Sequence, residues 1–221
     1  MELFTIGHSN HSIDTFIALL NKHGITAVAD VRSHPYSRYL PHFSQSALKS
    51  ALLNAGIQYV FLGRELGARS ADQSCYVDGK ALYEKIAATE LFAQGIQRLI
   101  KGAQNYKISL MCAEQDPIEC HRTVLVCQHL RNFDLDIHHI LKNSELESHA
   151  HVEGRMLVLH GLSQSERKEV TPKQLSLFDE PQVTEVIEQR SREDCLQEAY
   201  KLQGDKIAYV EKKSNLNEDN S

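Results

Sequence analysis

The sequence contains no tryptophan, no long apolar run and no excess of positive charge. No apolar run approaches the roughly 18 residues of a membrane-spanning helix, so we expect no membrane segment. The net charge of −5 excludes a global basic field that would attract nucleic acid, and it limits such contacts to a local patch or a partner protein. The composition is that of an ordinary globular protein.

A disulfide framework is also absent from the pattern of cysteines. The five cysteines are an odd number, and their spacing does not match that of small disulfide-rich domains. The first residues, MELFTIGHSN, show no basic segment followed by the apolar stretch of a secretory leader. We therefore expect a cytoplasmic protein with reduced thiols.

What is present is an alternation of strand and helix patterns through the first 142 residues. This alternation predicts an α/β fold, with an open, mainly parallel sheet of about five strands and helices on both faces. Helices are expected at about 82–101 and 117–131, and a polar loop at 63–79 is long enough to be a lid or a binding loop. The predicted strands are residues 3–6, 25–31, 57–62, 108–111 and 137–141.

The alternation of strand and helix patterns ends after this region, and the chain becomes polar and charged from Ser163 onward. We expect an α/β domain over residues 1–162 and a linker over 163–185. Residues 186–221 should hold one amphipathic helix near 186–202 and a disordered end from about 214.

Polar clusters occur where the predicted strands end. Gly7-His8-Ser9 follows the first strand, Asp30-Val31-Arg32 closes the second, and Cys112-Ala113-Glu114 follows the fourth. Ligands of open parallel sheets bind in the crevice outside these strand ends. The candidates for proton transfer or nucleophilic attack are His8, Asp30, Cys112 and Glu114. The candidates for holding an anionic ligand are Ser9, Arg32, Arg38, His121 and Arg122.

The stretch CAEQDPIECHR combines a helix start with reactive side chains. Asp116, Pro117 and Glu119 are typical of the cap and first turn of a helix, which would place Cys120 and Arg122 in its second turn. A zinc site could be assembled from the nearby cysteines and histidines, but their spacing matches no standard zinc motif. The sequence alone therefore predicts no metal site, and the cofactor stays open.

Four groups of residues together resemble a known family, domain of unknown function 488, over roughly residues 1–142. The resemblance implies an α/β fold and a shared pocket but no settled reaction. Ala68 stands where the family usually has a second glycine, so the loop there is expected to have a different shape. The matching groups are Thr5-Ile6-Gly7-His8-Ser9, Asp30-Val31-Arg32 with Pro35, Ser37 and Arg38, Tyr59 with Leu66-Gly67, and Cys112-Ala113-Glu114 with Cys120-His121-Arg122.

A weaker similarity points to rhodanese-like domains, which also place Asp-Val-Arg after one strand and a cysteine after another. In rhodaneses that cysteine opens a loop of backbone amides, whereas Glu114, Asp116 and Pro117 occupy the corresponding stretch here. A sulfurtransferase that uses Cys112 is therefore an alternative hypothesis. A non-enzymatic adaptor that only recognises a modified nucleotide or peptide end is another.

A second motif lies in the polar region. Gln174-Leu175-Ser176-Leu177-Phe178 resembles the peptide with which bacterial replication and repair proteins dock onto the sliding clamp. Leu175, Leu177 and Phe178 would enter an apolar pocket, and Gln174 would fix the register. Together the two motifs predict an enzyme or nucleotide-binding protein of DNA repair or replication, with a small anionic or nucleotide ligand and the clamp as its partner.

Overall fold

The computed structural model describes residues 1–163 and 190–211, and a six-stranded sheet lies at its centre. The strands are β1 (Glu2–Gly7), β2 (Ala27–Asp30), β3 (Gln58–Phe61), β4 (Tyr76–Val77), β5 (Lys80–Ala81), β6 (Ile108–Cys112), β7 (Asp136–Ile140) and β8 (Leu146–Ser148). The central sheet has the order β3-β2-β6-β1-β7-β8, and β4 and β5 form a separate antiparallel hairpin.

Five strands of the central sheet are parallel, which confirms the predicted fold class. Strands β2 and β6 are buried along their whole length, as expected where helices cover both faces of a parallel sheet. The sixth strand, β8, pairs antiparallel with β7 at the edge. With only three residues, β8 is too short to show a periodic pattern in the sequence.

The helices cover both faces of the sheet and one end of it. They are α1 (Ile13–Lys22), α2 (Gln45–Asn54), α3 (Gly63–Leu66), α4 (Tyr83–Ala87), α5 (Glu90–Ala103), α6 (Gln128–Leu130), α7 (His149–Leu159) and α8 (Arg192–Ile207). Short 3-10 turns occupy Pro41–Phe43, Gln73–Cys75 and Pro117–Glu119, and a π-helical segment, Arg122–Cys127, leads directly into α6.

Alternate residues of the strands build two separate cores. Phe4, Val28 and Met111 pack with α1 and α2 on one face, whereas Leu3 and Leu110 pack with α5 and α6 on the other. The two-residue period of a strand therefore divides the apolar side chains between the faces. Because both faces are closed, a ligand can approach the sheet only at its edges and strand ends.

Two predicted helices are corrected by the structure. The helix expected over 82–101 is interrupted, because Thr89 leaves the helical conformation and its hydroxyl caps α5 at the backbone N–H of Phe92. The helix expected over 117–131 is also divided. Asp116 caps a single 3-10 turn, as its residue type predicts, but Cys120 then adopts an extended conformation before the π-helical segment begins.

The stretch 63–79, predicted as a loop, contains α3 and most of the β4-β5 hairpin. The C-terminal helix α8 begins at Arg192, six residues later than expected, where Ser191 and Asp194 form a reciprocal capping box. Leu196 and Tyr200 of α8 pack against Met156 of α7. The clamp-like peptide and the predicted disordered end lie outside the described residues.

A buried chain of hydrogen bonds joins β1, β7, α7 and α8, and we call it the histidine chain (Thr5, His139, His149, Tyr200 and Glu153). The joining distances are 2.8 Å from Thr5 Oγ1 to His139 Nδ1, 3.1 Å from His139 Nε2 to His149 Nδ1, 3.0 Å from His149 Nε2 to Tyr200 Oη, and 2.9 Å from Tyr200 Oη to Glu153 Oε1. At the end of the chain, Glu153 forms a salt bridge with Arg131, whose Nε lies 2.6 Å from Oε1 of Glu153.

The histidine chain is consistent with one direction of donation throughout. If the Tyr200 hydroxyl donates to Glu153, each imidazole donates through Nε2 and accepts through Nδ1, and the Thr5 hydroxyl donates to His139. Burial lowers the pKa of both histidines, and that of His149 falls to about 4. Both imidazoles are therefore neutral at pH 7, as this pattern of donation requires.

Within the described residues, no helix combines the length and apolar character needed to cross a membrane.

Candidate functional site

A cavity of about 620 Å³ opens at the carboxyl edge of the parallel sheet. Its walls come from the segments that follow β1, β2 and β6, from the loop after α3, and from the chain that follows α8. The side chains that line it include His8, Arg32, Arg69, Cys112, Glu114, His121 and Tyr209. The position agrees with the expectation that ligands of an open parallel sheet bind outside its strand ends.

Two glycines allow the loops of this edge to approach each other. A Cβ atom on Gly7 would lie 1.8 Å from the carbonyl oxygen of Glu114, and one on Gly63 would lie 2.0 Å from the carbonyl oxygen of Arg32. Only a residue without a side chain fits at these close backbone contacts. The strand ends are therefore joined through direct contacts between their backbones.

Asp30 holds Arg32 in place at the floor of the cavity. The guanidinium of Arg32 donates to Asp30 through Nε (2.9 Å) and Nη2 (2.7 Å), and the hydroxyl of Tyr59 donates to the same carboxylate at 2.9 Å. Burial and the Asp30 carboxylate both raise the pKa of the Tyr59 hydroxyl. Asp30 is fully buried and does not line the cavity, so its geometry is that of a positioning group for Arg32.

His8 accepts a hydrogen bond on the cavity side of this pair. Its Nδ1 lies 3.0 Å from the carbonyl oxygen of Ser9, which fixes the proton on that nitrogen, and its Nε2 lies 3.3 Å from Nη1 of Arg32. The ring also stacks on Phe43 with centroids 4.3 Å apart. Burial, followed by the charge of Arg32, lowers the pKa of His8 to about 4. At pH 7 the ring is neutral, and its Nε2 accepts from Arg32 and carries no proton to donate as a general acid.

The reactive side chains from both ends of CAEQDPIECHR lie close together and form the thiol cluster (Cys112, Glu114, Cys120 and His121). The thiols of Cys112 and Cys120 both donate to Oε2 of Glu114 at 3.0 Å, and Nδ1 of His121 lies 3.5 Å from the sulfur of Cys112. The extended conformation of Cys120 turns its sulfur back toward the strand end. The two cysteines and His121 are buried, whereas Glu114 is exposed at the cavity wall.

The two thiols of the cluster have opposite tendencies to ionise. Burial raises the pKa of Cys112, and the neighbouring Cys120 and Glu114 raise it further. Burial also raises the pKa of Cys120, but the hydrogen bond from Cys112 and the charge of Arg122 outweigh it, and the net shift is downward. Burial and Cys120 raise the pKa of the Glu114 carboxyl. The arrangement therefore favours a thiolate at Cys120 over one at Cys112.

This environment gives no support to the sulfurtransferase alternative. A persulfide-carrying cysteine needs a low pKa and backbone amides around its sulfur, whereas the sulfur of Cys112 faces a carboxylate and an imidazole. The raised pKa of the Cys112 thiol also argues against a persulfide-carrying role.

The structure places Arg122 away from the cavity. Its guanidinium is almost fully buried and donates to the carbonyl oxygens of Glu114 (2.7 Å) and Gln115 (3.2 Å), while Nε donates to Thr5 Oγ1 at 3.3 Å. A buried arginine that donates to backbone carbonyls fixes the loop that carries Glu114. These contacts give a structural reason for a cation at the start of the π-helical segment.

Two further predicted anion-binding residues do not line the cavity. Ser9 has a left-handed backbone (φ 44°), and its hydroxyl donates to the Gln115 side chain at 3.3 Å. Arg38 is exposed on the loop that follows Arg32. Of the residues named from the sequence, the structure thus brings His8, Arg32, Cys112, Glu114 and His121 to one cavity, whereas Asp30 and Arg122 lie behind it.

Sequence reasoning missed several residues of the opposite wall. Arg69 lies there with its guanidinium over the ring of Tyr209, 4.2 Å from the centroid. Arg69 belongs to the polar loop predicted to bind a ligand, so its position could have been suspected. Tyr209 follows α8, and it reaches the cavity because its carbonyl accepts a hydrogen bond from the backbone of Ala81 at 2.9 Å. No local pattern in the sequence indicates such a long-range pairing.

The fold and the cavity define an open α/β protein whose ligand site lies at the carboxyl edge of a parallel sheet. A family model described as Domain of unknown function DUF488 matches residues 12–128, just over half of the chain. The protein therefore belongs to this family. Except for Thr5-Ile6-Gly7-His8-Ser9, the residue groups that carry the resemblance lie inside the match. No curated protein and no solved structure matches the chain.

Proposed function

We propose that the protein binds a phosphate-bearing nucleotide or nucleic-acid end in the strand-end cavity and acts on it there. The observation that carries the proposal is that two arginines and an exposed aromatic side chain line one opening. Arg32 and Arg69 line the cavity, and Tyr36 at its rim is 73% exposed. Guanidinium groups suit phosphate oxygens, and exposed aromatic rings suit nucleobases.

Two more exposed residues follow on the loop after β2, outside the residues that line the cavity. Tyr39 is 90% exposed, and Arg38 lies between the two tyrosines. An exposed tyrosine-arginine-tyrosine arrangement resembles the stacking surfaces of proteins that bind single-stranded nucleic acid, where bases stack on rings and cations contact the backbone. Because the whole chain is acidic, such a local patch is the form that nucleic-acid binding would have to take.

Binding of a short single-stranded oligonucleotide tests this function. We expect a 5′-phosphorylated oligonucleotide to bind more tightly than the unphosphorylated one. Arg69→Ala should weaken binding of the phosphorylated form roughly tenfold, the equivalent of about 1.4 kcal/mol for one charge-assisted contact. Arg64→Ala is the matched control, because Arg64 is exposed on α3 but does not line the cavity. Equal binding of the two oligonucleotides, or equal loss in both variants, would reject the proposal.

We further propose that Gln174-Leu175-Ser176-Leu177-Phe178 docks the protein onto a bacterial sliding clamp and so brings the cavity to DNA. The support is the resemblance of the peptide to clamp-binding motifs and the adjacent apolar residues Leu177 and Phe178 in a polar stretch of the sequence. In a pull-down with purified clamp, the native chain should be retained and Leu177→Ala/Phe178→Ala should not. Val158→Ala/Leu159→Ala is the control, because it removes another apolar pair that is exposed. Equal retention of all three proteins would refute docking.

A further inference from the structure

We propose that the thiol cluster is a zinc site, with Cys112, Cys120 and His121 as fixed ligands and Glu114 as the ligand on the cavity side. In a tetrahedral zinc site with Zn–S bonds of about 2.3 Å and Zn–N or Zn–O bonds of about 2.0 Å, the ligand atoms lie roughly 3.3–3.8 Å apart. Here all four candidate atoms lie within 4.8 Å of one another, and the sulfur of Cys112 is 3.5 Å from Nδ1 of His121. The side chains therefore need little movement to surround a metal ion.

The orientation of His121 is an independent observation that points to a metal ligand. Its Nε2 lies 2.9 Å from the carbonyl oxygen of Val31, so that nitrogen carries the proton and donates it. The lone pair on Nδ1 is then directed into the cluster. Histidines that bind metals almost always donate their other ring nitrogen to a carbonyl or carboxylate in this way.

The hydrogen bonds around Cys120 suit a metal-bound sulfur. Its sulfur lies 3.5 Å from the backbone N–H of Arg122, and the adjacent guanidinium is buried. Two thiolates, one carboxylate and a zinc ion carry a net charge of −1, which the positive charge of Arg122 offsets. Without a metal, by contrast, two thiols compete for one oxygen of Glu114.

The same geometry explains why the sequence does not show the site. Cys112 is at the end of β6, and Cys120 and His121 follow a 3-10 turn, so the ligands are eight and nine residues apart along the chain. Common zinc motifs use shorter pairs. The ligands are brought together because Cys120 is extended and the chain turns back before the π-helical segment.

A zinc ion held here would face the cavity through Glu114. Three fixed protein ligands and one displaceable position are the arrangement of catalytic zinc sites, where the metal polarises a bound water or an anionic oxygen. Zinc is preferred over magnesium or calcium because the ligand set contains two sulfurs. The metal would lie beside His8, whose backbone N–H donates to the carbonyl oxygen of Cys112 at 2.8 Å.

The test uses the full chain without a histidine tag. We expect purified protein to contain one zinc per chain by elemental analysis and, after chelation, to bind cobalt(II) with the intense charge-transfer absorption of cobalt–thiolate bonds. Cys112→Ser and Cys120→Ser should each lower zinc affinity at least about 100-fold in competition with a chromophoric chelator. Cys195→Ser is the matched control, because it alters a buried thiol on α8 outside the cluster and should leave the affinity unchanged.

A second measurement needs no variant and covers the case in which the serine variants do not fold. Zinc should protect Cys112 and Cys120 of the native chain from alkylation, and it should leave the modification of Cys195 unchanged, as mapped by mass spectrometry. Absence of the cobalt–thiolate band, equal zinc affinity in all three variants, or alkylation unaffected by zinc would each overturn the proposal. Protein isolated with only iron or copper at these residues would overturn the assignment to zinc. Because metal binding needs no nucleotide, failure here leaves the proposed anion binding untouched.

Discussion

The histidine chain and the thiol cluster are both buried polar groups that touch Arg122, yet they are organised in different ways. In the histidine chain each donor can have one acceptor, from Thr5 through Tyr200 to Glu153. In the thiol cluster two donors converge on one oxygen of Glu114, and the lone pair of His121 faces a sulfur. Because every donor of the histidine chain can have an acceptor, the chain stabilises the contacts between its helices and strands. The thiol cluster, in which two donors compete for one acceptor, is better suited to bind a ligand.

The largest expected effect concerns acid stability, and it depends on the histidine chain. The pKa of His149 lies at about 4 in the folded protein but near 6.5 in the unfolded chain. Between these values the unfolded chain binds more protons, so stability is complete above pH 6.5 and is lost as the pH falls toward 4. His149 alone should account for about 3 kcal/mol of the unfolding free energy over this range.

Urea unfolding at pH 7 and at pH 4.5 measures this loss. His149→Gln, which cannot take up the proton, should show a flatter dependence on pH than the native chain. His160→Gln is a suitable control, because His160 is only part-buried and bonds to Gln203 outside the histidine chain. A native protein with equal stability at both pH values would contradict the neutral, buried state of His149.

A smaller effect is expected when the chain is broken at its tyrosine. Tyr200→Phe removes the hydroxyl between His149 and Glu153 and leaves both without that partner in a buried position, which should cost about 2 kcal/mol of stability. Tyr106→Phe is the control, because Tyr106 is 46% exposed, and it should change stability by less than about 0.5 kcal/mol. Denaturant midpoints of the three proteins decide the matter, and equal midpoints would show that the hydroxyl is dispensable.

The smallest effect on stability is expected in the thiol cluster. In protein freed of metal, Cys112→Ser should cost only about 1 kcal/mol, because the serine hydroxyl can donate to Glu114 in place of the thiol. Denaturant unfolding in the presence of a chelator measures this loss of stability, and Tyr200→Phe is measured under the same conditions for comparison. A loss larger than that of Tyr200→Phe would mean that the cluster, like the histidine chain, serves mainly to hold the fold together.

The sequence allowed the sheet to be predicted well because its strands are short apolar runs separated by glycines and helix caps. Local patterns of this kind also located Asp116 as a cap and placed His8, Arg32, Cys112 and Glu114 at one edge. The division of the expected helix at Thr89 was not predicted, because a capping hydroxyl inside an apolar periodic stretch gives a weak local pattern.

The role of individual side chains was harder to predict than their location. Arg122 was expected to bind an anion, but three acceptors on two other segments determine where its guanidinium points. A zinc site among the nearby cysteines and histidines was considered but not predicted, because the extended residue Cys120 interrupts the helix that the sequence suggested. Such features depend on contacts between distant parts of the chain, and residue spacing does not encode them.

The chain after α8 pairs over a short stretch with the β4-β5 hairpin and so brings residues outside the family match to the cavity. Arg32, Cys112 and His121 lie within the residues that match the family, whereas Tyr209 and its neighbours lie beyond them. The pairing of Lys80 with Val210 holds this stretch at the cavity, where Tyr209 lies beside Arg69. Substitutions in that stretch would therefore reshape the cavity without altering Arg32, Cys112 or His121.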